Sequence, residues 1–254
     1  SYYLVMKLHY NYIYLYSDGK TGQKTDADYS SKTPIAVVVS RSKRIAAALN
    51  DIDTRTISNY KWGRNDITTT TTASSTLADH LTDMDGYDYT YSTTYSTDGV
   101  AKGNDATNYP GFYAAAHYDP GVPVTGTNIG KWYLPSMGEW NLFFKNLVYL
   151  ANEDLTETTG YRYESLHPQT YAIRQTWVNV DNWPSGNYYW DYLSSSEDSQ
   201  QRFYSYCTEL KQPNSYAWFP ASTLARHFIR RVLKNAVTSV EYDAIVLIRP
   251  FVRY

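Results

Sequence analysis

A single cysteine, Cys207, excludes an intramolecular disulfide and any zinc or iron–sulfur centre built on several thiolates. The expected state of that residue is a packed thiol. Long apolar runs are missing too: the longest, Pro34 to Val39 and Ala244 to Ile248, fall far short of the roughly 20 residues that cross a bilayer. Nothing predicts insertion into a membrane. The opening stretch, Ser1 to Tyr16, lacks the charged n-region and small-residue cleavage site of a secretory signal. Charge of one sign is scarce as well. A formal net charge of -2 excludes the strongly basic balance of a general nucleic-acid binder.

Catalytic and cofactor motifs are equally sparse. There is no Gly-rich phosphate loop, no His-Glu-x-x-His zinc helix and no Gly-x-Ser-x-Gly elbow. The five histidines, His9, His80, His117, His167 and His227, are scattered without a partner motif and read as surface or packed residues. No cofactor is expected, and the chain is not read as an enzyme.

What is present is aromatic. Tyrosine accounts for 28 of 254 residues and tryptophan for 7. Tyrosine gives binding surfaces large contact area with a hydroxyl at low entropic cost. It also fills β-rich structure, and its spread along the whole chain suits that reading equally.

Periodicity predicts an α+β protein. Tyr2 to Tyr16 alternates aromatic and polar residues as a half-buried strand does, and Ser17-Asp-Gly-Lys20 turns the chain. Pro34 to Val39 reads as a buried strand, forming a hairpin with Ile45 to Leu49. Thr68 to Thr72, five threonines in a row, read as an exposed loop or edge. Helices are expected over Ala73 to Leu81, over Ala106 to Tyr118 with an interruption at Pro110-Gly111, and over Glu139 to Asn152. In the last of these Trp140, Phe143, Phe144, Leu147 and Leu150 recur at helical spacing. Beyond Tyr161, short aromatic segments alternate with loops, and Ala244 to Val252 forms a closing strand that could neighbour the first. Leu224, Phe228 and Val232, at i, i+4 and i+8, suggest an inserted helix between Thr223 and Val237.

Three strings carry a resemblance: Tyr16-Ser-Asp-Gly19 followed by Lys32-Thr-Pro-Ile-Ala-Val-Val38; Asp83-Met-Asp-Gly-Tyr87; and Gly130-Lys-Trp-Tyr-Leu-Pro-Ser-Met-Gly-Glu-Trp140. They resemble surface and fimbrium-associated proteins of gut bacteria that carry a C-type-lectin-like fold. Tyr192-Leu-Ser-Ser-Ser-Glu197, Ala217-Trp218 and Ile248-Arg-Pro-Phe251 are similar to further landmarks of those domains. The resemblance implies mixed short antiparallel strands, two or three helices and long loops. It further implies one domain over 1–254, with a β-rich N-terminal segment to about residue 60 and a ligand-binding part from about 161. The fold class also serves phage receptor-binding tips, retroelement-diversified variable proteins and formylglycine-generating oxidases, so it does not by itself fix function. The oxidase chemistry needs a cysteine pair that one cysteine cannot supply.

In such domains the late loops meet the ligand. The expected ligand-binding set is therefore Tyr188, Tyr189, Trp190, Asp191, Arg202, Tyr204, Tyr206, Asn214, Tyr216, Trp218, Arg226 and His227, with Trp218 also a candidate for the core. Arg226, Arg230, Arg231 and Lys234 form a local basic run, more often a solvated face than a contact. Two calcium readings are weighed and set below the structural one. Asp83, Asp85 and Asp88 offer oxygens, but their string resembles a structural turn. Gln212-Pro-Asn214 echoes a sugar-binding loop without the Trp-Asn-Asp strand that accompanies it.

The resulting expectation is a non-catalytic adhesin or receptor-binding protein for a glycan or protein receptor, extracellular, on a cell surface or on a virion tail. The alternative is a structural subunit of a fimbrium or tail, or a homo-oligomer. Neither nucleic acid nor a metal is an expected partner.

Overall fold

The structure, a computed structural model, describes residues 12–50, 52–53, 62–63, 77–96, 98–148, 162–164, 189–197, 202–211, 224–233 and 245–254. Two six-stranded sheets and short helices make an α+β arrangement. The strands are β1 (Tyr14–Tyr16), β2 (Thr21–Gly22), β3 (Pro34–Ser40), β4 (Ile45–Ala48), β5 (Ile52–Asp53), β6 (Trp132–Tyr133), β7 (Arg162–Glu164), β8 (Tyr189–Glu197), β9 (Arg202–Lys211), β10 (Leu224–Leu233), β11 (Ile245–Ile248) and β12 (Phe251–Arg253). The first sheet runs β2-β1-β3-β4-β12-β6, antiparallel at every pairing. The second runs β5-β11-β8-β9-β10-β7, with one parallel pair, β11 and β8.

The hydrophobic run Ile35 to Val39 is buried throughout because both faces of the first sheet are covered. Tyr14, Tyr16, Val37, Val39, Ile45 and Ala47 join the helix carrying Trp140 and Phe143 on one face. Leu15, Ile35, Ala36, Val38, Ala46 and Val252 pack with Trp132, Val122 and Ile129 on the other. The turn predicted at Ser17–Lys20 joins β1 to β2, with Gly19 at φ 81, in the left-handed region that glycine enters at little cost. Tyr14, Tyr16, Tyr89, Tyr109, Tyr133 and Tyr192 are all buried, so much of the tyrosine is core material.

Four α-helical segments are described, α1 (Leu77–His80), α2 (Gly86–Tyr91), α3 (Pro110–Ala116) and α4 (Met137–Phe143), one more than the two or three expected. Pro110 does not interrupt a helix. It opens α3, where its missing N–H would have had no partner and its fixed φ suits the first turn. The strongest predicted helix starts two residues earlier than expected, and after Phe143 it widens into a π turn, Phe144–Val148.

Two expectations are corrected. The Leu224–Val232 spacing belongs to a strand, β10, paired with β9 along its whole length from Leu224↔Lys211 to Leu233↔Arg202. A spacing of four is also two strand periods, so that triplet cannot separate helix from strand. The closing strand is two strands in two different sheets, broken at Arg249-Pro250, since proline has no N–H to continue a ladder. It does not neighbour the first strand either, because β3 and β4 lie between β1 and β12.

The break has a partner. β4 and β12 pair in the first sheet, while β5 and β11, their continuations, pair in the second. Both chains therefore leave one sheet for the other together. Arg249, buried at the bend, donates from Nη1 to the carbonyls of Ala48 and Leu49 at 2.8 and 3.0 Å, and Ala48 N–H donates to the Pro250 carbonyl at 2.8 Å. Among the described residues no helix is long and apolar enough to cross a membrane.

Candidate functional site

The strands that carry the candidate ligand-binding residues are positioned by a buried polar junction, which begins with a local rule. Ser136-Met-Gly-Glu139 is a capping box. Glu139 accepts from Ser136 N–H at 2.9 Å, and Ser136 Oγ accepts from Glu139 N–H at 3.4 Å. Leu134-Pro135 ahead of the box delivers α4 to the end of β6, where Tyr133 Oη donates to Glu139 Oε1 at 2.8 Å.

The Asp83–Tyr87 string docks on this helix start. Asp83 Oδ1 accepts from Asp85 N–H at 3.0 Å, closing the turn, and the Asp83 carbonyl accepts from Ser136 Oγ at 2.6 Å. Gly86 and Gly138 allow the approach. A Cβ on Gly138 would run into the Asp83 backbone, and one on Gly86 into Glu139 and the Ser136 N–H. The string is thus a structural turn, with Asp85 and Asp88 exposed and Asp83 turned inward. Among the described residues no three His, Cys, Asp or Glu side chains are grouped to hold a metal ion.

Ser194-Ser-Ser-Glu197, wholly buried, brings β8 into the junction. Ser196 Oγ accepts from Met137 N–H at 2.9 Å and donates to Asp83 Oδ2 at 3.2 Å; Ser195 N–H donates to the Pro135 carbonyl at 2.8 Å. Two indoles complete the attachment: Trp140 Nε1 donates to the Leu193 carbonyl at 3.1 Å and Trp62 Nε1 to the Ser194 carbonyl at 2.7 Å. Trp140 also meets Tyr192, Phe251 and Phe143 at centroid separations of 5.0, 5.1 and 5.5 Å. Arg253, at the end of β12, donates to the Met84 carbonyl at 3.1 Å and lies over the Tyr87 and Tyr133 rings.

Burial decides the electrostatics of this junction. It pushes the Glu139 carboxyl up from 4.5 to about 8, against the hydrogen bonds from Ser136 and Tyr133 and the attraction of Arg253. Burial raises Asp83 as well, and it lifts the Tyr133 phenol far above its ordinary value. Glu139 and Tyr133 have no exposed surface, and Asp83 is half-buried. Their hydrogen bonds tie α4, the Asp83 turn and β8 to one another.

From Tyr192 the ladder continues through β9 and β10 to β7. Its register forms rows across the second sheet: Tyr189–Glu209–Arg226–Tyr163, then Trp190–Thr208–His227–Arg162, then Asp191–Cys207–Phe228, then Tyr192–Tyr206–Ile229. Successive rows belong to opposite faces of a pleated sheet. The sequence-predicted set therefore divides. Trp190, Arg202, Tyr204, Tyr206 and His227 fall on the rows of one face, whereas Tyr189, Asp191 and Arg226 fall on the rows of the other. Tyr188, Asn214, Tyr216 and Trp218 lie outside the described residues, as do Gln212-Pro-Asn214 and the threonine run. Compared with known proteins, the chain matches no family model, no curated protein and no solved structure.

Among the histidines, His80 is fully buried and His117 is stacked on Tyr113 at 3.8 Å, while His227 sits on β10. The sequence reading missed the junction as a unit. The Ser-x-x-Glu capping box was a readable signal for its centre. Nothing local announced that Arg253, more than a hundred residues away, would close it.

Proposed function

We propose that the chain is a non-catalytic ligand-binding protein on a C-type-lectin-like fold, an adhesin or receptor-binding protein that engages a glycan or protein receptor through strands β8–β10 and their connections. The observation that carries this reading is the division of labour among the landmark strings. Trp132–Trp140, Asp83–Tyr87 and Ser194–Glu197 are used up in one buried junction, together with the end of β12. The strands attached to that junction form a ladder that includes Tyr189, Trp190, Arg202, Tyr204, Tyr206 and Arg226, of the residue types enriched at binding hot spots.

Glu139, which is fully buried, and Asp83 beside it are both occupied in structural hydrogen bonds, which favours recognition over turnover. The setting expected for such a protein is extracellular, on a cell surface or virion tail. A glycan-array screen of the purified chain, run with Ca²⁺ and with chelator, tests the proposal beside a Tyr188→Ala/Tyr189→Ala/Tyr216→Ala variant. Specific binding that survives chelation and is lost in the variant supports it. Oligomers that assemble without ligand, with no array binding, would move the assignment to an assembly subunit.

A further inference from the structure

The β3–β4 hairpin ends in Arg41-Ser-Lys-Arg44, three cations in four residues, each of them exposed. The strands beneath are fixed, since Ile35 to Ser40 and Ile45 to Ala48 are buried and paired, Val38 with Ala46 and Ser40 with Ile45. The tip itself is tied: Arg44 N–H donates to the Arg41 carbonyl at 3.2 Å, Lys43 N–H to Ser40 Oγ at 3.3 Å, and Tyr254 N–H to the Arg44 carbonyl at 3.1 Å. Among the described residues no carboxylate pairs with the tip, whereas Lys32, in the loop before β3, pairs with Asp18 at 2.5 Å.

Arg44 has φ 54, the one non-glycine residue in the left-handed region among those described. Glycine or asparagine would relax the backbone there, so a long cationic side chain stands where local geometry does not favour it. Its guanidinium lies 5.8 Å from the centre of the Tyr254 ring. Three exposed cations on a rigid, tied tip, with no carboxylate among the described residues paired to them, match an extended polyanion whose charges recur along its length.

We infer that the Arg41–Arg44 tip with the Tyr254 ring is a binding surface for an acidic polysaccharide, one bearing sulfate or carboxylate groups. Guanidinium forks suit either oxyanion in bidentate geometry, and the half-buried Tyr254 ring beneath the Arg44 guanidinium steadies that fork at the surface. Nucleic acid fits less well, because the whole chain carries a net charge of -2 and the patch offers only three cations. The surface lies on the first sheet, belongs to none of the residues 188–227, and does not depend on the reading given to them.

The test uses the full chain with four probes: dextran sulfate, alginate, neutral dextran and single-stranded DNA. The wild type should bind dextran sulfate, alginate or both, lose that binding as salt is raised, and ignore neutral dextran. Binding of one acidic probe alone identifies which oxyanion is read. Arg41→Ala/Lys43→Ala/Arg44→Gly should weaken binding roughly tenfold or more, through lost charge-assisted contacts. Arg44→Gly alone should weaken it without lowering Tm, which separates ligand contact from hairpin stability. Failure to bind either acidic polysaccharide, or wild-type affinity in the triple variant, overturns the inference. DNA binding as tight as the polysaccharide overturns the choice of partner. Strands β8–β10 are untouched by these variants, so failure here leaves the proposed function standing.

Discussion

Glu139 is the residue whose chemistry reaches furthest. Its carboxyl, at 4.5 when solvated and pushed up to about 8 by burial, keeps a proton in the folded protein that the unfolded chain has already lost between those values. Stability is therefore greatest below about pH 4.5 as far as this group is concerned, and it declines as pH rises toward about 8. Asp83, also raised, acts in the same direction. Thermal unfolding followed from pH 5 to 8 should show a falling Tm, and Glu139→Gln should flatten that slope while raising Tm at pH 8. A slope unchanged in the variant would remove Glu139 as its source. Gly138 gives a second prediction. Because a Cβ there meets backbone and not a flexible side-chain end, Gly138→Ala should cost about 1–3 kcal/mol in chemical denaturation.

At the scale of elements, the bend at Arg249-Pro250 couples the two sheets. Arg249→Met keeps bulk but leaves the Ala48 and Leu49 carbonyls without that donor; an unsatisfied buried acceptor costs about 1–3 kcal/mol. The variant should unfold at lower denaturant, and hydrogen exchange should speed up in β4 and β11 together. Faster exchange in β4 alone would mean that the sheets are held together elsewhere. Such elements were unequally legible in the sequence. The buried run Pro34 to Val39, its hairpin with Ile45 onward and the Ser17–Lys20 turn could be read directly, because burial on both faces and turn chemistry are local. Helix α4 was legible from the spacing of Trp140 and Phe143, but its start at Met137, two residues before the expected Glu139, is set by a capping box that the periodicity does not reveal. β10 was misread because a spacing of four fits both periods. The split of the closing strand was hidden because pairing with β4 and β5, about two hundred residues earlier, decides which sheet each half joins. The candidate residues could be assigned to strands only once the register was known, and that register separates Trp190 from its neighbours Tyr189 and Asp191.

In the whole molecule the first sheet, α4 and the start of the β8–β10 ladder are fastened at one junction. Trp140 stands at the point of fastening, in contact with α4, β8 and β12, and Trp140→Ala should cost about 3–5 kcal/mol and release β8 from the junction. The central claim, recognition through β8–β10 without turnover, is tested most directly by one glycan-array comparison of the wild type with two variants, each shown by its Tm to be folded. One variant, Arg202→Ala/Tyr204→Ala/His227→Ala, alters the rows of one face; the other, Tyr189→Ala/Asp191→Ala/Arg226→Ala, alters the rows of the opposite face. The account predicts that one variant loses array binding at least tenfold, as expected when several anchors of a binding surface are removed, while the other keeps it. Wild-type binding in both variants would contradict it.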